Sequence, residues 1–502
     1  MNEIVKLLFD AQYVINIFFV IVIIFYERKN PASTWAWMMV ILIVPYFGFL
    51  LYLILGADSR KHTVFIQKLH RDETILREYL LKGFDDYTLV NEELETLRRR
   101  NIVNIKGAEH LNDLVYLNLH SGGGAFTTGN AVEPYFDGAS KFEALLEDIE
   151  KAKNFIHMQY YIVRTSRLGR RIFDALTRKS REGVEVCFFT DGMGSPFISR
   201  EYKKTLVDAG GRLAVFYPPR FIRLNYRNHR KLAIIDGTVG YVGGFNIGDE
   251  YLGESKRFGY WRDAHLRITG PAVRQLELRF IMDWNFCHRE RIKITDKYFP
   301  SLTDRAPAAE PGHPADRRGQ GVNMQVISSG PDTRWPNIYY AYSKMISEAN
   351  RSIYIQSPYF VPDDGLFEAL RIAALSGIDV RIVIPARPDH PFVYWAALSY
   401  LGDLVSAGVK CYQYTKGFLH SKLMIIDGVL ASVGTANMDV RSFKLNFEVS
   451  AIIYDSETVS KLTGRFESDL CDCDVMDVEW YESRSGMSKI KEALSRLLSP
   501  LL

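Results

Sequence analysis

The sequence predicts an α/β protein, two tandem pseudo-symmetric domains behind a two-helix transmembrane hairpin. Three observations predict it: two charge-poor apolar runs at the amino terminus, an internal repeat whose copies lie 191 to 197 residues apart, and one short polar-apolar stretch that occurs in both copies. A chain of 502 residues suits two domains plus extras, and its 47% apolar and 24% charged residues are those of a globular protein. The formal net charge of +3 is too small to imply a nucleic-acid partner, so any preference for acidic ligands rests on local patches. Five cysteines at scattered spacings give no disulfide framework and suit a reducing compartment. The pair in CDCD, residues 471 to 474, lacks a nearby histidine and reads as ordinary thiols.

Residues 1–57 are expected to form the hairpin. Ala11 to Tyr26 carries no charge, and Ala32 to Ala57 is a longer run with Trp35 and Trp37 near one end. A bilayer core asks for about 20 apolar residues of helix; the second run spans it, and the first does so with its flanks. The ERKNP turn joins them, and a second span following at once argues against a signal peptide. Lys6, Arg60, Lys61, Lys68 and Arg71 lie on the side of the large body, against Arg28 and Lys29 in the turn. The positive-inside rule therefore puts the body in the cytoplasm, on a cell-membrane protein of two spans.

Residues 58–105 mix charge with spaced Ile and Leu, as a helical connector would. The first domain is expected over 106–299 and the second over 322–482. FEALLEDIEKAKNFIHMQYYIV and IYYAYSKMISEANRSIYIQSPYFV each run from a helical pattern into a strand, with Gln159 aligned on Gln356. REGVEVCFFTDG and LSGIDVRIVIPA, then VDAGGRLAVF and VSAGVKCYQY, continue the repeat. Between the copies, residues 300–321 are rich in Pro, Ala, Gly and charge and read as a linker. The tail, 483–502, is an amphipathic helix with Ile490, Leu494, Leu497, Leu498 and Leu501 on one face; it is expected to dock on the body, with an interfacial anchor as the alternative.

The doubled stretch is NHRKLAIIDG, residues 228 to 237, and GFLHSKLMIIDG, residues 417 to 428. Residues two apart in a strand share a face, so His229 and Lys231 are expected to point together, as are His420 and Lys422. Asp236 and Asp427 precede glycine between apolar runs, a hairpin signal that gives them a turn role. A two-residue turn would set His229 opposite Gly244 with Asn246 alongside, and His420 opposite Thr435 with Asn437 alongside. Asp263 and Glu448 are carboxylates able to hold a ring nitrogen and fix the tautomer. Such a kit suits a phosphodiester. Lysines and amides bind its nonbridging oxygens, one imidazole attacks phosphorus and the other carries the proton, with no metal or cofactor required.

These residues resemble the phospholipase D superfamily and, within it, the bacterial cardiolipin synthases. The family's two His-x-Lys-x4-Asp motifs are matched by His229, Lys231 and Asp236 and by His420, Lys422 and Asp427, so that resemblance places both aspartates in the catalytic set. GGFNIGDEY, GTANMDVRSFKLNFE and YWRDAHLRITGPAV resemble the extensions that carry Asn246, Asn437, Glu448 and Asp263, and ERKNPASTWAW resembles the membrane hairpin of the synthases. The resemblance implies tandem α-β-α sandwich domains and transfer of a phosphatidyl group from one phosphatidylglycerol to another, giving cardiolipin and glycerol. It implies His229 as nucleophile and His420 as acid and base, although pseudo-symmetry leaves the roles interchangeable in the residues alone. Phosphatidylglycerol, other anionic phospholipids and the membrane are the partners it implies, with no nucleic acid and no defined oligomeric state.

Three rivals stand beside this reading: a hydrolase using water in place of the second lipid, a nuclease drawn to the basic run RFIRLNYRNHRK, and a non-catalytic membrane scaffold. The two spans weigh against the nuclease, and two intact motifs against the scaffold. SGGGAF, residues 121 to 126, is expected as a flexible entry loop. Tyr161, Tyr359 and Phe360 either line a lipid groove or pack as strand aromatics, and His157, His265 and His390 are expected in structural roles.

Overall fold

The structure is a computed structural model that describes residues 31–43, 61–82, 111–216, 225–300 and 321–499, with isolated positions between 17 and 52. Helix α1 spans Pro31–Ile43, and α2, Lys61–Leu81, forms the start of the expected connector. Most of the two apolar runs, the connector beyond residue 82 and residues 301–320 of the expected linker lie outside the described residues. Among the described residues no helix is long and apolar enough to cross a membrane. The 13 residues of α1 fall short of the roughly 20 that a bilayer core requires.

The first half carries β1 (Thr127–Tyr135), α3 (Gly138–Lys151), β2 (Phe155–Tyr160), α4 (Arg167–Arg181), β3 (Glu185–Asp191), β4 (Arg212–Phe216), β5 (Leu232–Ile235), β6 (Val239–Gly243), β7 (Tyr260–Arg262), β8 (His265–Thr269) and α5 (Ala272–Cys287). The second carries β9 (Val322–Ser329), α6 (Asn337–Ser347), β10 (Ser352–Gln356), β11 (Phe360–Val361), α7 (Asp364–Leu375), β12 (Asp379–Pro385), α8 (Pro391–Val405), β13 (Lys410–Tyr414), β14 (Gly417–Leu419), β15 (Leu423–Ile426), β16 (Leu430–Gly434), β17 (Met438–Asp439), β18 (Glu448–Tyr454), α9 (Ser456–Leu470), β19 (Cys473–Met476) and the tail helix α10 (Gly486–Leu498).

Local signals place these helices. Asp137 opens α3 by accepting the Ser140 N–H at 2.9 Å, and Asp455 opens α9 by accepting that of Thr458 at 2.7 Å. Leu168, Ile172, Phe173 and Leu176 recur on one face of α4 and are buried.

The halves do not form separate sandwiches. Among the described residues one mixed sheet of 15 strands runs through both, in the order β4, β3, β2, β5, β6, β8, β1, β9, β18, β16, β15, β10, β12, β13, β19. Read outward from the β1–β9 pair, the order is the same in each half, with β19 added at one edge. The pseudo-twofold therefore lies between β1 and β9, which pair antiparallel with a register shift between Thr127 and Asn130. In separate sandwiches those two strands would be open edges, and pairing them satisfies their backbone groups. Helices cover both faces. On one face α5 and α9 share a single apolar core that crosses the halves, with Phe280, Trp284, Leu462 and Phe466 fully buried. On the other, α3 and α4 build one core and α6 to α8 another. Each buried Leu or Phe contributes ~1.5–3 kcal/mol, so the shared core binds the halves firmly.

Candidate active site

The two His-x-Lys segments lie just ahead of β5 and β15, where the chain has left its own hairpin and runs against the opposite half. The His229 N–H donates to Phe447 O at 3.0 Å, beside a parallel bridge between Asn228 and Phe447. The His420 N–H donates to Arg262 O at 2.7 Å, continuing the parallel pair of β14 and β7. Each motif is thus docked on the residue that precedes a carboxylate of the other half.

Those carboxylates take the imidazoles crosswise. His229 Nδ1 lies 3.0 Å from both oxygens of Glu448, and His420 Nδ1 lies 2.6 Å from Asp263 Oδ2. Thr435 Oγ1 and Asn446 Nδ2 donate to Glu448 at 2.5 and 3.1 Å, and the Ala264 N–H donates to Asp263 Oδ1 at 2.8 Å. At the position equivalent to Thr435 the first half has Gly244. A Cβ there would stand 1.9 Å from Asp263 Oδ1, so only glycine leaves room for that carboxylate. With Nδ1 held, Nε2 is the nitrogen left for chemistry on each ring.

Both lysines turn back on their own histidines. Lys231 Nζ donates to His229 O at 2.7 Å; Lys422 Nζ donates to His420 O and lies 2.8 Å from His420 Nδ1. Burial pushes both imidazoles down to about 4; Glu448 opposes this at His229 and Lys231 adds to it, while at His420 Lys422 adds to it and Asp263 opposes. Burial also lowers Lys231 well below the ammonium range and Lys422 to about 8. Burial alone would raise Asp263 and Glu448, but the facing His and Lys side chains outweigh it and hold both below the usual carboxylate range. The free site therefore holds neutral imidazoles beside ionised carboxylates at neutral pH.

His229, His420, Asn246 and Asn437 line one cavity of about 410 Å3. Asn246 is fixed by the Ile162 N–H at 3.0 Å and Tyr251 Oη at 3.2 Å, and Asn437 Oδ1 is buried without a hydrogen-bond partner among the described residues. Tyr161 meets His229 edge-on at 4.9 Å between ring centroids, and Trp261 lies 5.2 Å from His420. Tyr161 and Tyr359 line the cavity, whereas Phe360 is buried in the core of the second half. His390, expected in a structural role, stands at the cavity wall. His157 and His265 are buried elsewhere, His157 against Glu277 at 2.8 Å. Arg227 and Arg441 also line the cavity; Arg227 lies in the basic run RFIRLNYRNHRK without having been given a role of its own, and Arg441 was not singled out. The signal was available for Arg227, two positions before the first histidine; Arg441 sits in a turn of helix whose direction only the fold defines.

The hairpin turns correct two expectations. Asp236 and Asp427, grouped with the catalytic set by resemblance, sit in the turns with φ of 52° and 55°. Asp236 accepts the N–H groups of Lys153, Asn154 and Phe155, and Asp427 those of Asn350, Arg351 and Ser352, at 2.7 to 2.9 Å. Each carboxylate ties its hairpin to the start of β2 or β10, and neither lines the cavity. The register also differs by one residue. Asp236 and Gly237 take the positive φ values of a two-residue turn, but Ile235 faces Val239 and Ile426 faces Leu430, because Thr238 and Val429 are added before the strand resumes. Gly244 and Thr435 consequently do not face the histidines across the hairpin; they serve the carboxylates instead. SGGGAF is likewise a helix stop rather than an entry loop: Gly123, with φ of 64°, closes the helix Asn112–Gly122.

A buried polar frame supports the site. Arg230 donates to Glu448 O at 3.1 Å and to Asp283 of α5 at 2.6 Å, and Gln159 donates to the same Asp283 oxygen at 2.9 Å. In the other half Arg262 donates to Asp263 O and to Asp469 of α9 at 2.7 Å, with Gln356 on Asp469 at 2.8 Å. The recurring glutamines thus mark equivalent struts. From α2, Lys68 reaches into this frame and pairs with Asp283 at 3.1 Å, Asp332 at 2.7 Å and Asp72 at 2.7 Å.

Residues 145–284 and 342–470 match a family model described as the PLD-like domain of cardiolipin synthase, and residues 14–56 match one described as the phospholipase D-nuclease N-terminal region. The chain is 47% identical to a cardiolipin synthase of Oceanobacillus iheyensis, over 99% of this chain and 100% of that one. It is 45% identical to the major cardiolipin synthase of Bacillus subtilis, over 99% of each chain. Among solved structures, a phosphatidylserine synthase of Haemophilus influenzae superposes with a TM-score of 0.58 at 15% identity, covering 77% of this chain and 97% of that one, which speaks for the fold alone.

Proposed function

The chain belongs to the phospholipase D-type cardiolipin synthases, and from that premise we propose how its own residues carry the transfer. It is a phosphatidyltransferase. In our reading both substrates are phosphatidylglycerol, His229 is the nucleophile and His420 the acid and base. Neutral Nε2 of His229 attacks phosphorus of the first lipid, and the P–O bond to glycerol breaks. The departing oxygen takes the proton from His420 Nε2, so free glycerol leaves and a phosphatidyl-histidine remains. The terminal hydroxyl of the second lipid then gives its proton back to His420 and attacks the same phosphorus. The P–N bond breaks, releasing cardiolipin and restoring both rings.

The observation that carries this reading is the crossed pairing of His229 with Glu448 and His420 with Asp263. Each carboxylate stabilises the cation its ring becomes, phosphorylated at one and protonated at the other. The phosphodiester brings a further negative charge, which raises His420 from its depressed resting state toward the acid form. Arg227, Arg441, Asn246 and Asn437 on the cavity wall offer donors to the nonbridging oxygens. We further propose that residues 1–57 form the membrane hairpin with the body in the cytoplasm, on the strength of the charge-free runs, the basic residues that flank them and the family match at 14–56.

Purified full-length protein in phosphatidylglycerol vesicles tests the reaction. Glycerol and cardiolipin in equal amounts support it. Phosphatidic acid with little cardiolipin would assign water, not lipid, as the acceptor.

A further inference from the structure

The tail helix α10 is turned inside out relative to the expectation that its apolar face docks on the body. Met487, Ile490, Leu494 and Leu497 form one stripe and are 51% to 62% exposed, while Glu492, Ser495 and the following Ser499 are buried; Leu501 and the side chain of Leu498, expected on the same face, lie outside the described residues. The inward face is held to α8 through polar groups. Ser499 Oγ lies 3.0 Å from Tyr400 Oη of α8, Arg496 pairs with Asp403 of α8 at 2.6 Å at the exposed rim of the contact, and buried Glu492 is bound by Arg484, just ahead of α10. A helix that docks by its polar residues and shows its apolar ones is built for an apolar neighbour outside the fold.

We propose that this stripe is an interfacial docking surface that seats the mouth of the active site on the bilayer. Continuity with the site selects that occupant. Ser499, at the end of α10, and Val393, in the first turn of α8, both line the catalytic cavity, and the adjoining Phe392 is 62% exposed. In the first half, the loop that braces the cavity-lining Tyr161 through a 2.7 Å bond from Ser195 Oγ carries Phe197, also exposed. Exposed apolar side chains thus lie close in the chain to lining residues from both halves of a cavity whose substrates reside in a membrane. Exposed Lys489 and Lys491 flank the stripe and suit anionic headgroups. A second copy of the chain seated here would cover the route by which lipid enters.

The proposal rests on the substrate being a bilayer phospholipid, and its test reads contact directly. In full-length protein carrying Cys471→Ser, a polarity-sensitive fluorophore is placed on Leu494→Cys and, as a control, on Leu375→Cys. Leu375 is similarly exposed but ends α7 ahead of the start of β12, whereas the cavity is lined by Tyr359 and Asp389, which follow the far ends of β10 and β12. With phosphatidylglycerol vesicles containing nitroxide lipid, the probe at 494 is expected to shift to the blue and lose at least half its emission, and that at 375 to do neither. The variant Ile490→Ser/Leu494→Ser/Leu497→Ser is expected to lose at least tenfold of the vesicle rate while staying within twofold on monomeric short-chain phosphatidylglycerol. An unquenched probe at 494 overturns the proposal. So does a blue shift that grows with protein concentration and ignores nitroxide lipid, which would assign the face to a second copy. Quenching without turnover would leave the docking surface standing and count against the substrate instead. Should the triple variant fail to fold, the quenching result decides alone.

Discussion

Glu448, in the second half of the chain, holds Nδ1 of His229, in the first, with both carboxylate oxygens 3.0 Å from the ring nitrogen. Asp263 returns the arrangement to His420. Neither half contains a histidine together with its own carboxylate, so the repeat builds one site and not two.

Replacing Glu448 by Gln keeps the shape of the pair but removes the charge that stabilises a cationic His229 and unsettles its tautomer. The expected outcome is a fall in kcat of about 10²- to 10³-fold with KM little changed, measured by cardiolipin formation in vesicles. Unaltered kcat would remove Glu448 from the mechanism.

Gly244→Ala places a methyl where Asp263 Oδ1 now stands, at 1.9 Å. The carboxylate must move, and His420 loses its anchor. We expect kcat to drop about 10²-fold, whereas Thr435→Ala, which removes one donor to Glu448, costs far less.

Asp236 and Asp427 act on stability. Either, changed to Ala, leaves three backbone N–H groups without their acceptor and a non-glycine residue at positive φ. A loss of about 2–4 kcal/mol is expected, seen as a lower thermal midpoint, with kcat of the folded fraction within twofold of the parent. Asn, which tolerates positive φ, should recover part of that loss.

Lys68→Met removes one cation from among Asp72, Asp283 and buried Asp332 and leaves Arg279, at 3.3 to 3.9 Å, and Arg230 to answer three carboxylates. Breaking such a set costs about 3–5 kcal/mol. Because Asp283 also holds Arg230, and Arg230 the backbone of Glu448, kcat is expected to fall along with stability; replacing Leu81, exposed at the end of the same helix, is expected to change neither.

Acid is expected to lower stability. The imidazoles of His229 and His420 are depressed to about 4 by burial, below their value of ~6.5 in an unfolded chain. Between those values the unfolded state binds more protons, so stability rises with pH there and is lost as pH falls from about 6.5 through 4. The loss is on the order of 3 kcal/mol per histidine. Depressed Asp263 and Glu448 push the same way. Denaturant midpoints measured between pH 4 and 7 check this; a midpoint that does not move across that range would mean that burial does not depress the two rings.

The chain announced its doubled motif, its α/β repeat and the histidines and asparagines that meet at one cavity because each is local, a spacing or a periodicity read along a few dozen positions. Relations across the molecule were not legible. Nothing in the segments around His229 and Glu448 says that the carboxylate serves the other half's histidine, since that follows from parallel pairing of segments some 220 residues apart. The extra residue at Thr238 was hidden because Asp236-Gly237 carries the full signature of a two-residue turn. The merging of two sheets at β1 and β9 depends on edges that a sequence pattern leaves alike whether paired or open. The inverted tail helix deceived for a related reason: periodicity finds an apolar face but not the direction in which it points.

In the proposed mechanism His229 carries the phosphatidyl group while His420 moves the proton. Full-length His420→Ala, incubated with phosphatidylglycerol labelled with 32P at the phosphodiester and quenched in alkali, tests it most directly through digestion and mapping. The expected result is an acid-labile, alkali-stable label on the peptide containing His229, absent from His229→Ala. Label on His420 in His229→Ala protein, with none on His229 in the converse variant, would contradict it.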